Sequence, residues 1–379
     1  MHNQDSNSGD LEICSEIWVL ADDRPGNYSQ AIGLAKRIIE IASNSDNQKL
    51  NQVLNFRLEI KKIKYNSFAN LPNFLKINGF FGLNSLSKKS ILSQKKAPQV
   101  IISAGRKTAP MALYLKNYYN HKTDIWSRSL SNQRIYDKVF CIQIMNPDLN
   151  FGLFSKSKEF DLIVLPNHDK IMTQSNVVRM IGSVSFVNTK FLEEEYQKFV
   201  HQLGQISSPK IALLVGGSSK RGNFTTKIAK DLSVIVSKIS NNMDAHLLVL
   251  NSRRTSQEIT DVLELSLDCK KTFFKWQKND WQNPYFAVLK AADFIIATGD
   301  SISMCSEICS LGKPTYIFNP TEICSKKHLK FHQDLFEKGF AKKLDQKSDK
   351  LDTFLVKKLD ETTRVAQIVV NNFLNKLRR

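Results

Sequence analysis

A strand, a tight turn and a small-residue helix follow one another in the stretch Phe294-Ile-Ile-Ala-Thr-Gly-Asp-Ser-Ile-Ser-Met-Cys-Ser-Glu-Ile-Cys309. The apolar run ends at Ala297, Gly299 permits a tight turn, and the helix is predicted to begin near Ser301. A strand that is apolar throughout, rather than alternating, is typical of a parallel sheet with both faces covered. The stretch therefore predicts one strand-loop-helix step of an α/β sheet.

The same order of elements recurs on both sides of this stretch. In the second half, apolar runs lead into Gly216 and Ser252, and in the first half such runs begin near Glu16, Val100 and Val139. Alternating strands and helices predict parallel sheets with helices on both faces. We expect an α/β protein of two Rossmann-like, doubly wound domains that face a cleft, with a C-terminal closing helix.

The predicted domain boundaries follow this pattern along the 379 residues. A disordered tail is expected at 1–12, a first domain at 13–187, a connecting helix and linker at 188–208, a second domain at 209–345 and the C-terminal helix at 346–379.

The charge balance favours an anionic partner. The chain has 54 Lys and Arg against 36 Asp and Glu, a formal net charge of +18. Nucleic acid is the weakest candidate, because no zinc finger, RNP-like motif or recognition helix accompanies the charge. The polar N-terminus does not resemble a signal peptide, and no apolar run approaches the roughly 20 residues of a membrane span. We expect a cytoplasmic protein, with peripheral contact at the inner membrane.

The segment from Phe56 to Gln99 interleaves lysines with phenylalanines and leucines. Such a pattern indicates either a surface that meets acidic lipid or an ordinary packed segment with a solvated lysine face, and both interpretations stay open.

Small-residue loops after the second-half strands are candidates for binding a diphosphate. A helix that begins near Ser301 points N–H groups and partial positive charge outward, and the two arginines at 253 and 254 suit bidentate contact with phosphate. Glu307 is placed to accept hydrogen bonds from a ribose. Alternatively, Asp300 or Ser301 only caps the helix, Glu307 is solvated and the arginines form surface ion pairs. The candidate residues are Gly216, Gly217, Ser218, Ser252, Arg253, Arg254, Thr298, Gly299, Asp300, Ser301, Ser303 and Glu307.

Neither a Walker-type P-loop nor a GxGxxG motif is present, so NTP hydrolysis of the P-loop kind is disfavoured. The six cysteines lack metal-ligand spacing, and no metal is expected.

The first half supplies a second set of candidates. His168 beside Asp169 is the best general base by residue type, since imidazole titrates near neutral pH, although a structural histidine is the alternative. Asp22 and Asp23 follow the first strand and are the other catalytic candidates. The candidates for the acceptor side are Arg24, Gly26, Asn27, Gln30, Gly105, Arg106 and Thr108.

Several motifs between about residues 17 and 318 resemble the bacterial relatives of the plant "elongated mitochondria" fission protein. They are Trp18-Val-Leu-Ala-Asp22, Arg24-Pro-Gly26, Gln30-Ala-Ile-Gly-Leu34, Ile102-Ser-Ala-Gly-Arg-Lys-Thr-Ala-Pro110, Phe160-Asp-Leu-Ile-Val-Leu-Pro-Asn-His-Asp169, Gly216-Gly-Ser218, Ser252-Arg-Arg-Thr255, Asn283-Pro-Tyr285, Thr298-Gly-Asp-Ser-Ile-Ser-Met304, Ser306-Glu307 and Gly312-Lys-Pro314. The loop around Glu307 is also similar to the donor-sugar loop of the peptidoglycan N-acetylglucosaminyltransferase, a GT-B enzyme.

The resemblance implies a GT-B-like fold, with the acceptor domain first and the nucleotide-sugar domain second. The resemblance does not settle the activity. From the converging small-residue loops, Glu307 and the basic first half, we expect a GT-B glycosyltransferase-like protein that moves a sugar from a nucleotide diphospho-sugar to an envelope glycolipid or lipid-linked acceptor, with the nucleotide sugar as substrate and no further cofactor. Two alternatives stay open: an epimerase of nucleotide sugars, and a non-catalytic scaffold that binds a partner or a membrane, as in the plant relatives.

One position departs from the family. Many of its bacterial members carry histidine where this chain has Asn27, and asparagine cannot act as a base near pH 7. Either Asp22, Asp23 or His168 takes that role, or the protein is not a catalyst.

Overall fold

The computed structural model describes residues 15–44, 55–71, 73, 81–92, 97–127, 138–149, 156–169, 173–219, 222–277 and 283–377. The chain divides into two compact units. The first comprises Met1–Leu165, Met172–Val178 and Thr362–Arg379, and the second comprises Pro166–Ile171 and Arg179–Glu361. The tail expected at 1–12 lies outside the described residues.

Twelve strands occur in the described residues and form two six-stranded sheets. They are β1 Ser15–Ala21, β2 Phe56–Lys62, β3 Val100–Ala104, β4 Phe140–Ile144, β5 Leu162–Pro166, β6 Val177–Met180, β7 Lys210–Leu214, β8 His246–Leu250, β9 Lys271–Phe274, β10 Phe294–Thr298, β11 Thr315–Phe318 and β12 Lys342–Lys343.

The described residues also form eleven α-helices. They are α1 Pro25–Ser43, α2 Ser85–Leu92, α3 Ala109–Ser127, α4 Thr189–Gln197, α5 Val200–Leu203, α6 Thr226–Asn242, α7 Gln257–Ser266, α8 Tyr285–Ala291, α9 Ile302–Cys309, α10 Lys326–Glu337 and α11 Glu361–Leu377. Short 3-10 helices occupy Ser67–Asn70 and Lys156–Glu159.

The sheet of the first unit has the strand order β2-β1-β3-β4-β5-β6. Its strands pair in parallel, as in the register of Val19 with Ile60 on one side and with Ile102 on the other. Every residue of β3 and β4 is buried, because helices cover both faces. The strand order reverses between β1 and β3, which is where an open parallel sheet leaves a crevice for ligands.

The sheet of the second unit has the order β12-β11-β10-β7-β8-β9 and reverses between β10 and β7. Alternate residues of β7 enter two different cores: Ile211 and Leu213 pack with α6 and α7, while Ala212 and Leu214 pack with α8, α9 and α10. Both faces of the sheet are therefore covered. The structure confirms the expected α/β class, with one parallel sheet in each unit.

The C-terminal helix α11 packs on the first unit. The Phe373 ring contacts the rings of Phe56 and Phe140, with centroids 5.6 and 5.9 Å apart. The Lys376 ammonium lies 2.7 Å from a carboxylate oxygen of Asp161, whose other oxygen accepts from the Cys141 backbone N–H. An apolar face and one ion pair thus fix this helix.

Helix α8 is held at its C-terminal end by a lysine from another segment. The Lys313 ammonium donates to the carbonyl oxygens of Leu289 (3.0 Å), Lys290 (2.6 Å) and Ala292 (2.6 Å). The last carbonyl groups of a helix receive no hydrogen bond from within the helix, so they need donors from elsewhere. A cation placed there also complements the helix dipole.

Replacing Lys313 with methionine should destabilise the second unit by about 2 to 4 kcal/mol, because three charge-assisted hydrogen bonds are lost and carbonyls are left unpaired. Urea unfolding measures the change. Lys230→Met, at an exposed position on α6, is the control and should alter the unfolding free energy by less than about 0.5 kcal/mol. Equal effects of the two substitutions would contradict the capping role of Lys313.

Candidate functional site

Three loops meet at the edge of the second sheet where the strand order reverses. The Gly216 N–H, after β7, donates to the Thr298 hydroxyl at the end of β10 over 2.8 Å. The Thr255 hydroxyl, after β8, donates to the Gly216 carbonyl. The structure thus brings together the loops that were expected to converge.

Gly216 is required by close packing. A Cβ atom at this position would lie 2.1 Å from a carboxylate oxygen of Asp300, far inside any permitted contact. The glycine therefore allows the loop after β7 to approach Asp300, whether or not a ligand binds beside it.

Asp300 is the centre of this arrangement. Its residue is 4% exposed, and its carboxylate accepts from the Thr298 hydroxyl (2.6 Å), the Gly217 N–H (3.1 Å) and the Arg254 guanidinium (2.6 Å). Arg254 also donates to the Gly217 carbonyl at 3.3 Å. A buried carboxylate is costly unless paired and hydrogen-bonded, and here all three loops supply its partners.

This arrangement separates the two arginines that the sequence placed side by side. Arg254 faces inward onto Asp300, whereas Arg253 is exposed. Of the two residues proposed to cap the following helix, Ser301 does so: it is the N-cap of α9, and its hydroxyl accepts from the Met304 N–H at 3.4 Å. The predicted helix start is confirmed.

Glu307 lies on α9 and is partly buried. One oxygen of its carboxylate accepts a hydrogen bond from the Tyr285 hydroxyl at 2.8 Å, and Ser185 also hydrogen-bonds to it. Burial raises the pKa of Glu307 to about 7, against an ordinary value of 4.5, although both hydrogen bonds lower it. The alternative of a solvated glutamate is not what the structure shows.

Sequence reasoning gave Tyr285 no role. The residue belongs to the motif Asn283-Pro-Tyr285, which was the only signal that could have drawn attention to it.

In the first unit, Asp22 and Asn27 meet at the edge between β1 and β3. The Asn27 amide donates to the two carboxylate oxygens of Asp22 at 3.1 and 3.3 Å. Gly105, after β3, has φ +77°, and a Cβ there would lie 2.6 Å from the Asn27 amide nitrogen. Burial raises the pKa of Asp22, while Asn27 and the Arg24 N–H partly offset this.

The other candidates of the first unit have local partners. The Thr108 hydroxyl is buried and donates to the Ala104 carbonyl (2.9 Å), and the Gln30 amide donates to the Gly26 carbonyl (3.2 Å). Arg106 donates to the Asn70 carbonyl at 3.0 Å. These contacts shape the loops after β1 and β3, and Asp23 stays exposed beside them.

His168 lies in the second unit, with its ring against that of Phe331 at 5.5 Å between centroids. Burial, together with the charge of Lys327, lowers the pKa of His168 to about 4. Asp169 is paired with Lys327. A ring with so low a pKa is neutral at pH 7 and a weak base, so His168 is poorly suited to accept a proton.

Among the described residues, no cluster of three His, Cys, Asp or Glu side chains is arranged to hold a metal ion, and no helix has the length and apolar character to span a membrane.

Comparison with known proteins gives a family match over most of the chain. The sequence profile of the family described as Mitochondrial fission ELM1 matches residues 25–373. The uncharacterized protein RP120 of Rickettsia prowazekii (strain Madrid E) is 30% identical over 390 residues, covering 93% of this chain and 97% of that protein. The mitochondrial fission protein ELM1 of Arabidopsis thaliana is 20% identical over 307 residues, covering 75% of this chain and 66% of the plant protein.

Among solved structures, the UDP-GlcNAc 2-epimerase of Methanocaldococcus jannaschii aligns with a TM-score of 0.49 at 13% identity, covering 94% of this chain and 99% of the other. MurG of Acinetobacter baumannii aligns with a TM-score of 0.42 at 13% identity, covering 96% and 93%.

The raised pKa of Glu307 predicts how stability depends on pH. The folded protein keeps the Glu307 proton up to about pH 7, whereas unfolded glutamate loses it near 4.5. At this residue the folded state therefore binds more protons in this window, and the contribution of Glu307 to stability falls as pH rises from about 4.5 to 7 and then levels off, by up to about 3 kcal/mol.

Glu307→Gln removes the titrating group and should be more stable than the wild type at pH 8, with the advantage vanishing near pH 4.5. Urea unfolding of both proteins at pH 5, 6, 7 and 8 gives the difference, in which all other titrations cancel. A difference that does not vary with pH would show that Glu307 titrates normally.

Proposed function

Because this chain belongs to the mitochondrial fission ELM1 family and its second unit gathers three loops around the start of α9, we propose that it is a GT-B-like glycosyltransferase that binds a nucleotide diphospho-sugar there. The sugar is transferred to an envelope glycolipid or lipid-linked acceptor. The observation that carries the proposal is the N-terminus of α9, with Ser301, Ser303 and Glu307 within two turns, at the point where the strand order reverses.

The diphosphate is assigned to the N-terminus of α9. The first hydrogen bond of this helix runs from the Cys305 N–H to the Ser301 carbonyl. The N–H groups of Ile302 and Ser303 therefore precede the helical ladder and are available to an anion. The exposed Arg253 lies on the neighbouring loop and adds positive charge that suits phosphate oxygens.

The ion pair of Asp300 with Arg254 prepares this position for an anion. A lone carboxylate next to the helix start would repel a diphosphate, and Arg254 neutralises it from within the protein at 2.6 Å. The same fixed donors would stabilise the diphosphate as it leaves the sugar, since they need no rearrangement when charge develops there.

The ribose is assigned to Glu307. A carboxylate oxygen accepts hydrogen bonds from sugar hydroxyls. Glu307 lies on the second turn of α9, about 7 Å along the helix axis from the phosphate donors at a rise of about 1.5 Å per residue. In the first unit, Asp22 is the group best suited to accept a proton, because burial makes its carboxylate more basic than an exposed one.

A second candidate is a non-catalytic scaffold that binds a partner or membrane. The observation that favours it is that the Asp22 carboxylate already accepts hydrogen bonds from the Asn27 amide and the Arg24 N–H, which makes it a weaker base. In addition, the Arabidopsis relative carries the name of a fission protein. Product analysis after incubation with a bound nucleotide sugar separates the candidates: a transferase yields free nucleoside diphosphate and a glycosylated acceptor, an epimerase an altered sugar nucleotide, and a scaffold neither.

Isothermal titration calorimetry with UDP, ADP, GDP and UDP-N-acetylglucosamine should detect binding of at least one nucleotide class. Arg253→Ala and Glu307→Ala should each weaken it about tenfold or more, since each removes a charged contact. Lys230→Ala on α6 is the charge-matched control and should leave the affinity unchanged. The proposal fails if none of these compounds binds, or if Glu307→Ala binds as tightly as the wild type.

An acidic membrane surface is proposed as the second partner. In the first unit Phe68 is 63% exposed, with Ile60 and Leu71 also exposed, and the surrounding segment carries exposed lysines at positions 62, 64, 88 and 89. Apolar side chains among lysines suit insertion at a negatively charged interface. Such a surface would bring the protein to a lipid-linked acceptor.

Vesicles of phosphatidylglycerol should co-sediment the protein, vesicles of phosphatidylcholine should do so weakly, and rising salt should release it. Phe68→Ser should reduce the bound fraction. Val234→Ser, which removes a 69% exposed apolar side chain from α6 of the second unit, is the control. If both substitutions reduce the bound fraction equally, or if the bound fraction is the same with phosphatidylglycerol and phosphatidylcholine, this surface does not contact the membrane.

A further inference from the structure

Two motifs have no part in the contacts assigned to the nucleotide: Asn283-Pro-Tyr285 and Gly312-Lys-Pro314. In the structure they lie at opposite ends of one short helix, α8, which spans only seven residues. So short a helix is not stable by itself and depends on contacts supplied from outside.

The first motif fixes the N-terminal end of α8. The Asn283 side-chain oxygen accepts from the Tyr285 N–H at 3.0 Å, which pairs one of the free N–H groups at the helix start. The Tyr285 ring packs edge-on against Phe286 at 5.0 Å, and Phe286 packs against Phe191 of α4 at 4.9 Å. Tyr285 therefore has a fixed backbone and a fixed ring.

The second motif fixes the C-terminal end. The Lys313 ammonium donates hydrogen bonds to the carbonyl oxygens of Leu289, Lys290 and Ala292. Residues outside α8 therefore hold this helix at both ends.

With α8 fixed in this way, the Tyr285 hydroxyl donates a hydrogen bond to a carboxylate oxygen of Glu307 over 2.8 Å. Burial and the nearby Glu307 raise the pKa of Tyr285, so the phenol stays neutral and keeps the proton that it donates to the carboxylate. The other groups facing this pair are the Ser185 hydroxyl and the buried Cys305 thiol of α9, and neither carries charge near pH 7.

We infer that Tyr285 is a positioning residue: its hydroxyl favours the ionised form of the Glu307 carboxylate and orients it for the ribose hydroxyls, and the two motifs fix α8 so that it does. The inference rests on the proposed nucleotide site. A phenol donates a stronger hydrogen bond to a carboxylate than to a neutral carboxylic acid, so its removal favours the protonated form of Glu307, which has lost one acceptor oxygen.

The test is Tyr285→Phe, which removes only the hydroxyl. Calorimetry with whichever of UDP, ADP and GDP binds the wild type, at pH 6 to 9, should show affinity about fivefold weaker at pH 7 and recovery toward wild type at pH 9. The midpoint of the pH profile should rise by about one unit, since one unit corresponds to a tenfold change in the proton equilibrium. Loss by the same factor at every pH would overturn the inference and indicate a merely structural tyrosine.

Tyr316→Phe is the matched control. It also loses a tyrosine hydroxyl in the second unit, one bonded to the backbone of Asp352, away from Glu307. Its pH midpoint should equal that of the wild type.

A second readout needs no ligand. In urea unfolding as a function of pH, the stability difference between each protein and its Glu307→Gln counterpart levels off at a pH that reports the titration of Glu307. Tyr285→Phe should raise this pH by about one unit, while Tyr316→Phe should not. If the wild type binds no nucleotide yet this shift is found, the proposed function is wrong, but the conclusion that the Tyr285 hydroxyl favours the ionised form of Glu307 remains supported. If the shift is absent, the inference is overturned whether or not nucleotides bind.

Discussion

The second unit depends on one buried carboxylate. Asp300 follows β10, yet its hydrogen-bond partners come from the loops after β7 and β8 as well as from Thr298 beside it. Because an unpaired buried carboxylate would cost several kcal/mol, the three loops have little freedom to separate. Glycine at position 216 and arginine at position 254 are consequences of this constraint. Because Ser301 directly follows Asp300, the same constraint also fixes the position of the helix start.

The sequence was sufficient for features that depend on local pattern. Apolar runs, small-residue loops and the cap at Ser301 predicted the strands, the parallel sheets and the meeting of loops, since parallel strands end at a common edge. Pairings between distant side chains were not predictable. Arg254 and Arg253 are indistinguishable in sequence, and only the folded loop after β8 shows that Arg254 turns inward onto Asp300. Lys313 and Tyr285 likewise acquire their partners from the way α8 packs.

Glu307 shows a conflict between stability and binding. Its carboxylate is partly buried, where the ionised form is disfavoured, and the hydrogen bonds from Tyr285 and Ser185 only partly compensate. A residue serving the fold alone would gain from being neutral, as glutamine would be. Under the proposed function the cost is retained because a ribose needs an acceptor already fixed in place, and sites of this kind are where proteins depart from their most stable sequence.

The helix α11 gives the chain an unusual order of assembly. It belongs to the first unit, where Phe373 packs on Phe56 and Phe140, but it is the last helix along the chain. On the ribosome, domains generally fold as they emerge, beginning with the N-terminal one. Here the second unit, whose last residue is Glu361, has been made before the rest of α11. The unit whose synthesis begins first is therefore completed last, and until then its sheet lacks one of its covering helices.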